Sequence, residues 1–296
     1  MGYLLIAISL VAGATKGYCG KMTSGYVNKY SDAMLANLIR MILCILIGFL
    51  MIAFSFDIPK LAITKKVFFI TLLSGITTSG FVVFWLVSVK RGAYMMLDVF
   101  LMLGVMIPLI GSSIKYNETI RPVQWIGLVI LFVSVIVMCS YNNSIKSKMS
   151  LSSLLLLIAC GISNGLVDFS QKLFVKEASQ TPISVFNFYT YLFSAIVLAV
   201  FYFIFKKQEK SNGEKADILH IFGYITIMSI CLFAYSYFKT KAANYLPSAQ
   251  IYPLSQGLGL IISSFMSALL FHEKLTAKCI TGIAMSFVAL IFINVL

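Results

Sequence analysis

Residues Glu118-Thr119-Ile120-Arg121-Pro122-Val123-Gln124-Trp125-Ile126-Gly127 and Glu273-Lys274-Leu275-Thr276-Ala277-Lys278-Cys279-Ile280-Thr281-Gly282 carry one pattern: a Glu at the mouth of an apolar run and a Gly nine positions later. Each stretch opens the last of five apolar runs. The chain therefore reads as a five-span unit written twice, and an odd number of spans inverts the second copy relative to the first. In such an arrangement a solute site is expected near mid-membrane, between the halves.

Composition supports a membrane solvent. Apolar residues are 60% of the 296, charged residues 11%, and mean hydropathy is +0.95. A soluble domain carries about twice that charged fraction. Runs near the ~20 residues a spanning helix needs lie at about 3–20, 33–55, 67–89, 93–114, 122–141, 151–173, 182–205, 217–239, 246–271 and 276–295. They are continuous rather than alternating, which excludes a barrel. The expected fold is an all-α integral membrane protein of ten transmembrane helices in two inverted five-helix repeats: 1–141, a linker 142–150, and 151–296. The first run has no basic leader and no small-residue cleavage site, so no cleaved signal is expected. The longest polar stretch, Lys206 to Asp217, is too short to fold alone.

The net charge of +13 does not indicate nucleic acid, because most basic residues fall in short loops, where they anchor helices to lipid headgroups. Only Arg40, Arg91 and Arg121 are Arg, a bias of an AT-rich bacterial genome. An inside N-terminus places nine basic residues on inner loops, Lys172 and Lys239 among them, against twelve on the others. The six cysteines have no metal-site spacing. His220 and His272 stand at helix ends without partners, and Gly20-Lys21-Met22 lacks the glycine and hydroxyl of a phosphate loop. No cofactor, metal or catalytic residue is expected.

The halves align elsewhere. Asn37 to Arg40 in the second span matches Asn187 to Thr190 in the seventh, and Lys21 matches Lys172. Gly13/Gly17 and Gly161/Gly165 repeat a Gly-xxx-Gly. The Glu with a Gly nine residues on that opens the last helix of each half, Glu118 with Gly127 and Glu273 with Gly282, resembles the EamA-type transporters of the drug/metabolite transporter superfamily. The segment Asn244 to Gly259, with Tyr245, Pro247, Tyr252, Gly257 and Gly259, is also similar to small multidrug resistance proteins, as is Phe271 to Thr276 with Gly282. The resemblance implies ten helices, cytoplasmic termini in a bacterial plasma membrane, and carriage of a small organic solute. In small multidrug exporters a Glu eight residues before the Lys binds cations and protons. Gly13 and Asn164 stand there in this chain, which argues against a cationic-drug pump.

Charges inside spans cost several kcal/mol. Lys16, Arg40, Asp98 and Asp168 are therefore candidates, either for a site or for interfacial pairing, with Lys172 one turn from Asp168. Asn37 and Asn187 would face one another. Asn164 and Gln256 are amides at depth. Trp85 and Tyr252 lead the aromatic candidates, with Tyr94, Tyr189 and Tyr235. Met95, Met96 and Met102 offer an adaptable wall. Pro108 and Pro253 are expected to kink their spans. Glu118 and Glu273 would favour the N-terminal dipoles of the final helices.

The expected substrate site comprises Lys16, Arg40, Asp98, Asn164, Trp85, Tyr252, Asn37, Asn187 and Gln256, with proton coupling through Asp98 or Asp168. Both signs of charge suit a zwitterionic or polar metabolite moved by alternating access. The alternatives are a cation exporter, or a membrane subunit that transports nothing. A monomer suffices, since both halves share one chain, and a dimer is compatible.

Overall fold

Continuous apolar runs leave the backbone no solvent partner, so it bonds to itself as helix. The computed structural model describes residues 1–27, 29–90, 94–139, 151–208, 218–270 and 277–294. Within these helices the side chains of 94–96, 98, 99, 135, 138, 139, 208, 218, 219, 267, 279 and 294 are outside the description. Among the described residues there is no strand. The helices are α1 (Gly2–Ser24), α2 (Tyr30–Phe54), α3 (Lys65–Lys90), α4 (Tyr94–Gly104), α5 (Met106–Tyr116) and α6 (Pro122–Cys139). After them come α7 (Leu151–Glu177), α8 (Ile183–Gln208), α9 (Ile218–Ala242), α10 (Ser248–Leu270) and α11 (Ala277–Asn294). Seven of these are long and apolar enough to cross a membrane, and shorter apolar helices cover 100–116, 122–134 and 280–293.

The expected fourth span is two helices, α4 and α5, meeting at Val105. Pro108 explains the break: it has no N–H to offer the carbonyl of Gly104 four residues back. Pro253 lies inside α10, which continues past it. Pro122 opens α6, where its fixed φ suits the first turn. Asn117 ends α5 in the left-handed conformation, φ 53°, a C-terminal cap that turns the chain toward Glu118. The hairpin 271–276, with Glu273 and His272, lies outside the described residues.

Packing runs mostly between helices far apart in sequence. α2 packs on α8, α6 on α11, and α4 on α10. α1 packs on α9 as α3 packs on α7; α2 meets α9 as α3 meets α8; α1 meets α10 as α4 and α5 meet α7. Glycine permits the closest of these approaches. A Cβ on Gly104 would overlap the carbonyl oxygen of Gly161, and one on Gly165 would overlap that of Gly104. The backbones of α4 and α7 thus touch, as small residues allow in membrane helix pairs. Gly127, nine after Glu118, lies against Ala289 and Ile293 of α11. Beside it the Gln124 side-chain amide donates to the Ile293 carbonyl at 3.0 Å, and Ser134 meets Ser286 at 3.0 Å. The sequence pattern that opens the final helix is thus a packing signal between α6 and α11.

Two sets of loops gather at opposite ends of the bundle. Near the N-terminus, Gly2 abuts Tyr245 and Leu246, and Tyr189 donates to the Leu61 carbonyl at 2.7 Å. At the other end Lys90 bonds the Val27 carbonyl, the Tyr26 ring lies tilted against His220, and Tyr30 lies near Phe205. The glycine crossing is testable by thermal unfolding in detergent. Gly165→Ala should lower stability by roughly 1–3 kcal/mol, the usual cost of overpacking. Gly223→Ala, where a Cβ meets nothing within 4 Å, should leave it unchanged or slightly raised.

Candidate functional site

A buried ion pair links two helices of the second half. Asp168 on α7 and Lys239 on α9 are 1% and 0% exposed. Lys239 Nζ donates to Asp168 Oδ1 at 2.8 Å and to the Tyr235 hydroxyl at 3.1 Å. It also stands over the Tyr235 and Tyr252 rings, 5.2 and 5.5 Å from their centroids. The second carboxylate oxygen accepts from Gln256 Nε2 at 3.5 Å, and the Tyr252 hydroxyl donates to the Asp168 backbone carbonyl at 2.8 Å. Taking either charge out of water alone costs several kcal/mol; here each has the other and a polar rim besides. Three helices, α7, α9 and α10, are pinned together by this cluster.

Beside it lies a cavity of about 80 Å³, room for several waters on the scale of roughly 10–15 Å³ each. Lys16, Gly13 and Gly17 of α1 form one wall, and Phe81 and Trp85 of α3 another. Asn164, Tyr235 and Gln256 contribute the polar lining from α7, α9 and α10, and the lining continues down α10 to Ser263 and Met266. Glycine on α1 makes the space: Gly13 faces the Tyr235 ring, and a Cβ on Gly20 would overlap the Trp85 indole. Lys16 Nζ stands 4.5 Å from the Tyr235 ring centroid and 5.6 Å from that of Phe81.

The sequence-predicted residues divide into three groups. Lys16, Trp85, Asn164 and Gln256 line this cavity, and Arg40 lines a small adjoining void with Lys16 and Trp85. Tyr252 lies behind the wall, fully buried. Asn37 donates to the Val82 carbonyl on α3 at 3.3 Å and accepts from Arg40 at 3.1 Å. Asn187 accepts from Ser236 on α9 at 2.9 Å, and Ser236 accepts from Gln171 at 3.3 Å. Each Asn is thus bonded to a neighbouring helix of its own half rather than to the other. Tyr189 sits at the N-terminal end of the bundle, away from the cavity. Asp98 lies on α4 and Tyr94 opens that helix, but their side chains are outside the described residues.

Three assignments change. Lys239 and Lys172, expected in loops, are within α9 and α7 and almost wholly buried. Lys239 is three residues from the end of its helix, so proximity to a boundary hid it in the sequence. Lys172 does not pair with Asp168; its ammonium meets Glu118 Oε1 at 2.8 Å. The i,i+4 spacing permitted a pair within α7, but each charge found a fuller set of partners on another element. Glu118 in turn serves α10 rather than its own helix, accepting from the Ser248 N–H at 2.9 Å. Lys172 also donates to the Leu246 carbonyl at 3.4 Å. A second cluster nearby joins Glu177 to Lys66 at 3.1 Å, to Lys115, and to the Tyr116 hydroxyl at 2.7 Å. These contacts tie α3, α5, α7 and the loops 117–121 and 243–247 together at the N-terminal end.

The fold and site together define a multi-pass helical membrane protein with a cavity inside the bundle, apolar for the most part and edged by a few polar groups. Residues 151–295 match the model of the EamA-like transporter family. That match covers the second half of the chain, and the family is one of membrane transporters. One solved structure, described as "Crystal structure of protein", aligns with a TM-score of 0.70 at 13% identity, covering 99% of this chain and 96% of its own. That likeness speaks to the fold alone. No curated protein matches the sequence significantly.

Two predictions follow from this geometry. Lys239→Met and Asp168→Leu should each destabilise by roughly 3–5 kcal/mol, since each leaves a buried charge alone. The double variant should lose clearly less than the sum, as a double-mutant cycle of unfolding would read. The second concerns Glu118. Burial pushes its carboxyl up, but the hydrogen bonds from Lys172 and from Ser248 outweigh that and hold it below the ordinary value of 4.5. A lowered carboxyl pKa stabilises the fold above the unfolded value and stops doing so as pH falls through the folded one. The melting-temperature advantage of the wild type over Glu118→Gln should therefore be constant near neutrality and shrink below pH 4.5.

Proposed function

We propose that the protein is a secondary carrier of small zwitterionic or polar metabolites, working by alternating access between two inverted five-helix halves, 1–141 and 151–296, joined by 142–150. The observation that carries this reading is the pairing of the cavity with the latch. One end of the bundle is tied shut by Glu118–Lys172 and by the Glu177 cluster, while the cavity lining runs along α10 toward the opposite end. The packing pattern supports inverted halves. Each contact between a helix of one half and a helix of the other has a counterpart with the halves exchanged, and α2–α8, α4–α10 and α6–α11 are their own counterparts. Such an arrangement rocks about a fixed central site.

Lys16, Asn164, Gln256 and Trp85 are the residues that meet the solute, with Arg40 behind them. Asp168–Lys239 holds the second half rigid behind the cavity. The termini are cytoplasmic in this reading, which makes the latched end the cytoplasmic one in a bacterial plasma membrane. A monomer is sufficient. The cation-exporter alternative is disfavoured because the charged residue lining the cavity, among the described residues, is Lys16.

Reconstitution in liposomes tests the reading. Saturable counterflow of a labelled amino acid or related polar solute is expected, falling at least about tenfold in Lys16→Met through loss of a charge-assisted contact. Glu118→Gln should alter the rate without abolishing binding. Absence of flux for every polar solute, with lipophilic cations moving instead, would sink it. Proton coupling is a separate arm: flux driven by a pH gradient that is unchanged in Asp98→Asn and in Asp168→Asn removes it.

A further inference from the structure

A second space opens on the outer surface of the bundle, between α2, α3, α7 and α8. It holds about 510 Å³, within the roughly 300–1,000 Å³ of ordinary ligand sites. Among the described residues it shares no lining residue with the central cavity. Its floor is buried, formed by Val83 and Val87 of α3 and Leu198 of α8, and its rim carries the exposed rings of Tyr30 and Phe201. α3 lines it from Ile76 to Val87, roughly 16 Å of helix at about 1.5 Å per residue. That is half of a hydrocarbon core of about 30 Å, the depth of one leaflet. Tyr30 opens α2 and Phe205 lies near the end of α8, so the groove runs from mid-bundle to the end opposite the N-terminus.

The groove makes little demand for a polar ligand. Thr77 donates to the Leu73 carbonyl at 2.8 Å and Ser79 to the Ile76 carbonyl at 2.7 Å, each within α3. Around them the lining is almost wholly aliphatic and aromatic. An empty space there forfeits dispersion contacts along its walls. Between membrane-spanning helices the medium at hand to fill it is lipid. The chain segments that follow α6 and α8 at this end, 140–150 and 209–217, are polar for the most part by sequence and supply no apolar run to take its place. The charge at the mouth specifies the lipid further. Lys206 and Lys207 directly follow Phe205 in the last turn of α8, and both are exposed. Lys206 Nζ donates to the Tyr202 hydroxyl at 3.0 Å, which braces the ammonium without neutralising it. The carboxylate described at this end, Asp32, is engaged in the cap of α2, accepting from the Lys29 N–H at 3.0 Å. Lysines at headgroup depth attract anionic lipids.

We propose that this groove seats one acyl chain of an anionic phospholipid, with the headgroup held at the mouth by Lys206 and Lys207. The bound lipid joins α2 and α3 to α7 and α8 along one leaflet. The inference holds whichever solute the protein carries, and its test reads lipid binding alone.

Native mass spectrometry of the purified full chain in detergent tests it, with palmitoyl-oleoyl phosphatidylglycerol titrated against phosphatidylcholine of the same chains. One phosphatidylglycerol per chain should be retained at least about tenfold more tightly, at roughly fivefold for each lysine near the charged headgroup. Lysophosphatidylglycerol, with a single chain, should compete for the place, and glycerol phosphate, a headgroup without a chain, should not. Lys206→Glu combined with Lys207→Glu should bring the ratio of the two lipids to about one, while the corresponding pair of Arg substitutions keeps it. Leu156→Trp fills the groove from α7 and should weaken both lipids at least about tenfold, because a seated chain would overlap the indole. Val197→Trp does the same from α8, so a folding defect in one variant does not decide the result. Ile136→Trp, on an exposed face of α6 away from the groove, should change nothing.

Equal retention of the two lipids, competition by glycerol phosphate, a preference that survives the double charge reversal, or full retention in both groove-filling variants would overturn the proposal. So would a dimer in the same spectra that the groove-filling variants dissolve, since a second copy of the chain would then be the occupant.

Discussion

Asp168 and Lys239 meet at 2.8 Å with almost no surface exposed, and the arrangement of α7, α9 and α10 depends on that meeting. In a hydrocarbon surround a lone carboxylate or ammonium is strongly disfavoured, and removing one partner of such a pair costs more than never having built it. The pair therefore constrains its neighbours. Tyr235 must present its hydroxyl to Lys239, Tyr252 must reach the Asp168 carbonyl, and Gln256 must complete the carboxylate. Three helices acquire a fixed relative rotation, and the cavity takes its polar wall from the same residues.

The latch at the N-terminal end has a different character. Lys172 is as buried as the Asp168–Lys239 pair, but its partner Glu118 is 16% exposed, and Glu177 gathers Lys66 and Lys115, whose side chains are 60% and 48% exposed. Exposed pairs like those of Glu177 contribute little each and are sensitive to salt and pH. In the carrier reading proposed above these are the contacts that open and close, whereas the Asp168–Lys239 pair is too enclosed to exchange partners with water cheaply. The molecule thus has a stiff electrostatic centre and a looser electrostatic closure, joined by α7, which carries Asp168, Lys172 and Glu177 on successive turns.

Backbone chemistry provides the remaining freedom. Pro108 breaks the fourth span where Gly104 touches Gly161 and Gly165, so an interrupted helix lies on the helix that carries both charge clusters. Contacts between bare backbones resist little when one helix slides or turns against the other, because no side chains interlock across them. A broken helix beside a binding cavity is a recurrent feature of carriers, and here it is adjacent to Asn164.

Much of this was legible in the chain itself. Apolar run length dictates the helices, because lipid offers no other partner for the backbone. The Glu and the Gly nine residues apart, in Glu118–Gly127, marked the start of the final helix of a five-span unit, while the close approach of Gly127 to α11 emerged only from the packing. Lys16, Trp85, Asn164 and Gln256 were readable as cavity residues because polar groups at depth need a reason to be there. Which charges pair was not readable. Spacing along α7 offered Lys172 to Asp168, yet Lys172 turned to Glu118 and Asp168 to Lys239, 71 residues away. Local periodicity says which groups share a helix face. Only the packing of α7 against its neighbours decides which distant charge arrives there, because in a low-dielectric interior a pair forms where the rest of its hydrogen bonds can also be completed.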